Sequence, residues 1–345
     1  MSGGWLWGED PTTGPPPLLQ TETMRSRLPV TVLAALCLVI GCSSSDEASE
    51  PDTTTTTTAD VEPTTLASTT STTTTPQTTS TSPPAPLSEL PRGGTRLFPD
   101  FRVVAHYGNA ESNAMGILGE TPPSEAAARL EAVASEWAED GRPVLPAFEL
   151  IVTVAQPHPG PDGNYSLATP DDLVREWHRA AREADMLLIL DLQPGTGSFV
   201  EAAQRYEDLL REPDVGLALD PEWRMLPGQI PGRTIGTVEA SEVNEVSAWL
   251  AAIVAEEGLP EKLFVIHLFT DSMVADRDAV VDRDGLATVF HVDGFGGREI
   301  KLQKYEQLKG PFAKGFKLFH DEDTDLFEPA DVLAFDDPPD LITYQ

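Results

Sequence analysis

Residues 216–223 read Gly-Leu-Ala-Leu-Asp-Pro-Glu-Trp, an apolar run closed by two carboxylates, Asp220 and Glu222, with Trp223 behind them. If the run is a buried strand, side chains two apart share a face and the acids stand side by side. Burial and a neighbouring negative charge both raise a carboxyl pKa. The pair is therefore expected to keep one of its two carboxyls protonated near neutral pH as a general acid. Trp223 adds a flat apolar face suited to a sugar ring. The competing structural reading has Asp220 orienting a loop and Glu222 paired with Arg224 or Arg233.

Such a pair is useful only where a fold holds it at the edge of a core. Eight short apolar runs can do so, at 102–108, 144–155, 186–195, 215–223, 262–270, 287–296, 315–323 and 341–345. Most are nearly continuous in aliphatic residues, as strands buried on both faces are. Amphipathic helical stretches separate them, opening at Ser124, after Thr169, at Ser198, at Ser241 and at Arg298. Ser198 and Glu201 stand at capping-box spacing. Strand alternating with helix over about 250 residues predicts an α/β fold, a (β/α)8 TIM-like barrel. The alternative is an open doubly wound α/β sheet. No G-x-G-x-x-G or P-loop follows an early strand, so nothing points to a nucleotide or another cofactor.

Barrel enzymes build their sites at the C-terminal ends of the strands. Those ends carry His106 and Tyr107, then Glu149, then Asp191 and Gln193, then the Asp220–Glu222 pair. His267 and Asp271, His291 and Asp293, Lys317 with His320 and Asp321, and finally Tyr344 follow. Acids or histidines thus converge from each of the first seven strands. Hydrolysis of a glycosidic bond needs a second carboxylate about 5 Å from the acid for retention, or about 6.5–9.5 Å for inversion. Asp191 and Asp293 are the candidates. Tyr107, Glu149, His267, His291, Lys317 and Tyr344 are expected to bind substrate beside Trp223. Asp271 reads as a helix cap, and the acids of 320–325 read as solvent-facing.

The apolar strand ending in D-x-E resembles the fourth strand of barrel glycoside hydrolases, notably chitinase-like enzymes and bacterial muramidases. The resemblance implies Glu222 as proton donor and Asp220 as assistant. The chain departs from the chitinase motif at Val215 and Ala218, where that motif has further aspartates, and from the muramidases at His106 and Tyr107 on strand one. Through "LPAFELI", "LDPEWR" and "GFKLFHDEDT" the whole domain also resembles a group of actinobacterial lipoproteins, which brings no activity with it.

Charge and the N-terminal quarter set the cellular context. The chain has 345 residues, 23 Lys and Arg against 56 Asp and Glu, and a formal net charge of -33, which argues against nucleic acid as a partner. Arg25 and Arg27 precede an apolar stretch from Leu28 to Ile40, shorter than the ~20 residues a membrane helix needs. That is the secretory pattern. "LVIGC", Leu38–Cys42, resembles a lipobox, which implies a signal peptide over 24–42 and lipidation at Cys42. Residues 1–23 show no periodicity and read as an extension ahead of the true start at Met24. Residues 43–91 are rich in Thr, Ser and Pro and form a disordered linker, with the barrel domain at 92–345. Only Cys37 and Cys42 are present, so the exported domain has no thiol chemistry.

The expected protein is therefore extracytoplasmic, lipid-anchored to the outer face of the cell membrane, and a glycoside hydrolase-like barrel acting on cell-wall or exported polysaccharide. Two other classes compete. A non-catalytic barrel would bind glycan or serve as a scaffold without turnover. A metal-dependent hydrolase would use His267, His291, His320, Asp293 and Asp321, although the amidohydrolase signature of H-x-H on strand one is absent from "AHYG", and no metal is expected.

Overall fold

The computed structural model describes residues 88–345. The expected start at Met24, the signal segment 24–42 with Cys42, and all but the last four residues of the 43–91 linker lie outside the described residues.

Eight parallel strands close into a barrel: β1 (Arg102–Gly108), β2 (Val144–Ala155), β3 (Leu187–Leu192), β4 (Val215–Leu219), β5 (Lys262–Leu268), β6 (Leu286–Val292), β7 (Ala313–Leu318) and β8 (Leu341–Tyr344). Each pairs with the next in chain order, and β8 returns to β1 with Thr343 opposite Ala105. The chain is a (β/α)8 barrel, and the open-sheet alternative falls with the closing β1–β8 ladder.

The helices pack outside in sequence order. They are α1 (Pro123–Ser135), α2 (Asp171–Glu183), α3 (Phe199–Gln204), α4 (Glu207–Leu210), α5 (Ala240–Glu257), α6 (Arg298–Leu308) and α7 (Pro329–Leu333). In α2 the buried residues Val174, Trp177, His178 and Ala181 recur at helical spacing and form the face laid on the sheet. Ser198 caps α3 as expected, its side chain accepting from the Glu201 amide. The alternation is not complete. Between β5 and β6 the chain makes no α-helix, only two three-residue 3-10 turns, Asp271–Met273 and Arg277–Ala279, around the short strand Val274–Ala275. That stretch repeats Asp at 271, 276, 278, 282 and 284, a poor helix former, and lacks an apolar stripe.

Alternation along each strand sorts side chains between two cores. Outward residues such as Val104, Phe148, Leu188, Phe264 and Phe290 pack under the helices. Inward residues Val103, Ala105, Leu145, Ala147, Leu187, Ile189, Leu263, Val265, Ala287 and Val289 fill the lower barrel. Leu90, Leu97 and Phe101 plug its base. The domain thus starts before the expected boundary at 92, because Leu90 is part of this core. On β4 a Cβ at Gly216 would lie 3.0 Å from the Leu263 carbonyl oxygen, so glycine lets the neighbouring strand and its leucine fill the axis.

Candidate active site

One step above the apolar layer, the same inward face turns ionisable. Tyr107 on β1, Glu149 on β2, Asp191 on β3, His267 on β5, His291 on β6, Lys317 on β7 and Thr343 on β8 are all buried. They touch one another across the barrel. Tyr107 donates its hydroxyl to Asp191 Oδ2 at 2.9 Å. The Lys317 ammonium sits 3.3 Å from the centre of the Tyr107 ring.

A hydrogen-bonded chain crosses the axis and ends at the strand-six loop. His291 Nε2 lies 2.8 Å from Thr343 Oγ1, which donates to Glu149 Oε2 at 2.9 Å. Glu149 Oε1 lies 2.8 Å from His267 Nε2, and His267 Nδ1 lies 3.1 Å from Asp293 Oδ2. Burial works against a charge on His267, but Glu149 and Asp293 on its two nitrogens carry it well above its usual pKa. The ring is an imidazolium donating at both ends. In turn, against the upward push of burial, His267 holds Glu149 down to about 2 and keeps Asp293 below its ordinary value. His291 goes the other way: burial and then the charge on His267 lower it to about 3, so it is neutral. Its ring fits because β7 has Gly315 opposite, where a Cβ would come within 2.5 Å of His291 Nδ1.

Above this chain opens a cavity of ≈ 520 Å³ lined by Tyr107, Gln193, Asp220, Glu222, Trp223, Asp293 and Lys317, with a rim of Phe269, Phe295 and Phe319. Glu222 and Asp220 reach it by a route other than the expected one. β4 ends at Leu219, and Pro221–Trp223 form a 3-10 turn, so the acids are not neighbours on one strand face. Proline at 221 cannot continue the ladder, and the turn lowers Glu222 into the cavity. Arg224 pairs with Glu242 at 3.0 Å, and among the described residues the Glu222 side chain makes no ion pair or hydrogen bond. Burial first and the charge of Asp293 second raise Glu222 to about 7. Asp220 was the expected source of that repulsion. It is itself pushed well above its ordinary value by burial and then by the charge of Asp191. Burial also raises Asp191, to about 6.

Not every expected residue is brought in. Tyr344 and His106 point outward: Tyr344 packs in the outer core, edge-on to Trp137 and stacked on His320 at 5.4 Å. Both follow from strand parity, since Leu341 and Thr343 take the inward positions of β8. His106, His320 and Asp321 line an adjoining cavity of ≈ 410 Å³ over the β1–α1 side, which shares Glu322 and Gln345 with the first. Asp271 is exposed, and Thr270 caps the turn it opens, its side chain accepting from the Ser272 amide. Asp323 is not solvent-facing. Its carboxylate pairs with buried Lys301 at 2.9 Å and accepts from the amides of Gly296 and Phe319, tying together the loops that carry Phe295 and Phe319.

Sequence reasoning missed Thr343, Lys304, Phe269, Phe295 and Phe319. Phe295 is 61% exposed at the mouth, and its setting between glycines in "DGFGG" was the readable sign. Glu149, His267 and His291 offer one ligand atom each within 4.8 Å of one another, a set that could hold a metal ion. Here those atoms are engaged with each other and with Thr343. The 2.8 Å contact between His267 and Glu149 is that of two groups sharing a proton.

Fold and site together define a (β/α)8 barrel protein with a charged, aromatic-rimmed cavity at the C-terminal mouth. No protein-family model matches the chain, and no match is found among curated proteins.

Proposed function

We propose that the domain is a glycoside hydrolase in which Glu222 is the general acid and Asp293 the ionised partner carboxylate. The observation that carries this reading is the opposite displacement of two acids lining one cavity. Glu222 rises to about 7 with no partner, while His267 holds Asp293 in the charged form. Two carboxyls driven apart by their surroundings are the acid and base of glycosidic cleavage. Glu222 would protonate the leaving oxygen. Asp293, which lines the cavity and whose Oδ1 has no hydrogen-bond partner among the described residues, would stabilise or attack the oxocarbenium-like carbon, or activate water against it. Burial and the charge of Asp191 favour the protonated form of Asp220, which can donate a hydrogen bond as an ionised acid cannot. Trp223 and Phe295 supply faces for sugar rings.

The test is turnover of a panel of cell-wall and exported glycans. Glu222→Gln should lower the rate by about 10²–10⁴-fold while the fold is kept. The wild-type rate should fall on the alkaline side as Glu222 loses its proton near pH 7. Hydrolysis untouched by Glu222→Gln would remove the assignment.

The same reading places the domain outside the cytoplasm on a lipid anchor at Cys42, on the strength of the Arg25–Cys42 pattern. Metabolic labelling with a fatty-acid analogue should mark the wild-type protein and not Cys42→Ala.

A further inference from the structure

The described residues include six lysines, at 262, 301, 304, 309, 314 and 317. Four have their ammonium on oxygen. Lys262 donates to the carbonyls of Glu212 and Val215, Lys301 pairs with Asp323, Lys309 with Glu306, and Lys314 with Asp337. Lys304 and Lys317 make no ion pair or hydrogen bond through Nζ among the described residues, and these two line the same cavity as Glu222. In a chain with 56 acids and 23 bases, carboxylates to satisfy them are plentiful. Surface distribution would pair them, as it pairs Lys309.

Lys317 is 3% exposed, which makes its state the more telling. An ammonium has three donors, and the face of Tyr107 under it satisfies charge without accepting those hydrogens in the way an oxygen does. Lys304 reaches over from α6, and its Nζ lies 2.7 Å from where a Cβ on Gly294 would stand, so it is laid along the loop next to Asp293. Asp220, Glu222, Asp293, Glu322 and Gln345 also face this cavity. Asp293 already has His267, and none of these groups pairs with either lysine. The two free cations belong to the neighbouring β6–α6 and β7 units, while Glu222 and Trp223 enter from β4.

We propose that the cavity takes an acidic glycan, a uronic-acid-type sugar whose carboxylate is held by Lys304 and Lys317 with its ring between them and Trp223. The proposal rests on the glycan reading above and names its substrate class. A carboxylate fits better than a phosphate. No arginine lines the cavity to grip a phosphate bidentately, and ionised Asp293 opposes a second negative charge.

The experiment measures binding by calorimetry to a panel of glucuronate-, galacturonate- and mannuronate-containing oligosaccharides, each beside its methyl ester, with inorganic phosphate as a further probe. At least one acid should bind the wild-type domain tenfold or more tightly than its ester. Lys317→Gln and Lys304→Gln should each close most of that gap, and Lys304→Arg should keep part of it. If Lys317→Gln fails to fold, half-buried Lys304 decides the matter alone. Equal binding of acid and ester throughout, no binding by any member, or a gap that survives both substitutions overturns the proposal, as does phosphate displacing every acid. An acid-over-ester preference without any bond cleavage leaves this inference standing and removes only the hydrolase.

Discussion

Two layers of the barrel interior lie two residues apart on the same strand faces and have opposite chemistry. The lower one, with Ala147, Ile189, Val265 and Val289, is wholly apolar, and the upper one holds Glu149, Asp191, His267 and His291 in their place. Both are excluded from water to the same degree. In the lower layer close packing suffices, and each side chain contributes through the area it hides. In the upper layer burial is a cost that only pairing offsets, so each group depends on its neighbour's charge. Stability therefore belongs to the lower layer, and tunable acidity to the upper.

Removing Glu149 should have the largest effect. Glu149→Gln leaves His267 charged and facing a neutral amide, and breaking a buried pair this way costs about 3–5 kcal/mol. The sign of its pH dependence follows from Glu149 being lowered, from 4.5 to about 2. Its contribution is complete above its unfolded value and is lost as pH falls from about 4.5 towards 2. His267, raised by the same pair, adds its share below its unfolded value of 6.5, so urea unfolding should show the full gap between wild type and variant at about pH 5.5 and a narrowing gap below 4.5. A gap independent of pH would erase the distinction between the layers.

Next comes Leu263→Ala in the lower layer, expected to cost about 2–5 kcal/mol through lost burial and the void left behind. Unlike the first change, this one should be flat between pH 4 and 8. A strong pH dependence would mean that the apolar layer is coupled electrically to the one above.

A smaller effect, about 1–3 kcal/mol, is expected from Tyr107→Phe, which deprives buried Asp191 of a hydrogen bond. Asp191 is raised to about 6, so its own contribution to stability is present at low pH and lost as pH climbs through 6. The Tyr107 hydroxyl favours the ionised form, so its removal should tell most above pH 6. Thermal unfolding at pH 5 and 8 separates the two cases, and a larger loss at pH 5 would contradict this placement.

The smallest change concerns the acid pair first read from the sequence. The charge that raises Glu222 is that of Asp293, so Asp220→Asn should move the alkaline limb of activity by less than about 0.3 of a pH unit, ~0.4 kcal/mol. Asp293→Asn removes the like charge that raises Glu222, and any residual activity should titrate lower. A large shift in Asp220→Asn would restore Asp220 as the controlling charge.

The barrel, its strand starts and most of the mouth residues were legible in one dimension, because period-two burial and strand-end chemistry are local signals. The apolar runs determine that Asp191, Asp220, His267, His291 and Asp293 sit near strand ends, whereas Glu149 lies in the middle of the long second strand. Strand parity, also local, would have put Thr343 inside and Tyr344 outside. Partnership was not local. His267 meets Glu149 across 118 positions of sequence, and Thr343 meets it across 194. Only closure of the sheet sets those distances, and with them which acid is charged. The sequence by itself determined a ring of ionisable groups at the mouth of a barrel. The tertiary structure alone decided that the charge of Asp293 raises Glu222, that His267 carries the positive charge, and that two lysines have no partner among the described residues. Each of these depends on a separation of a few ångströms between residues far apart in the chain, where the energy of a buried charge is settled.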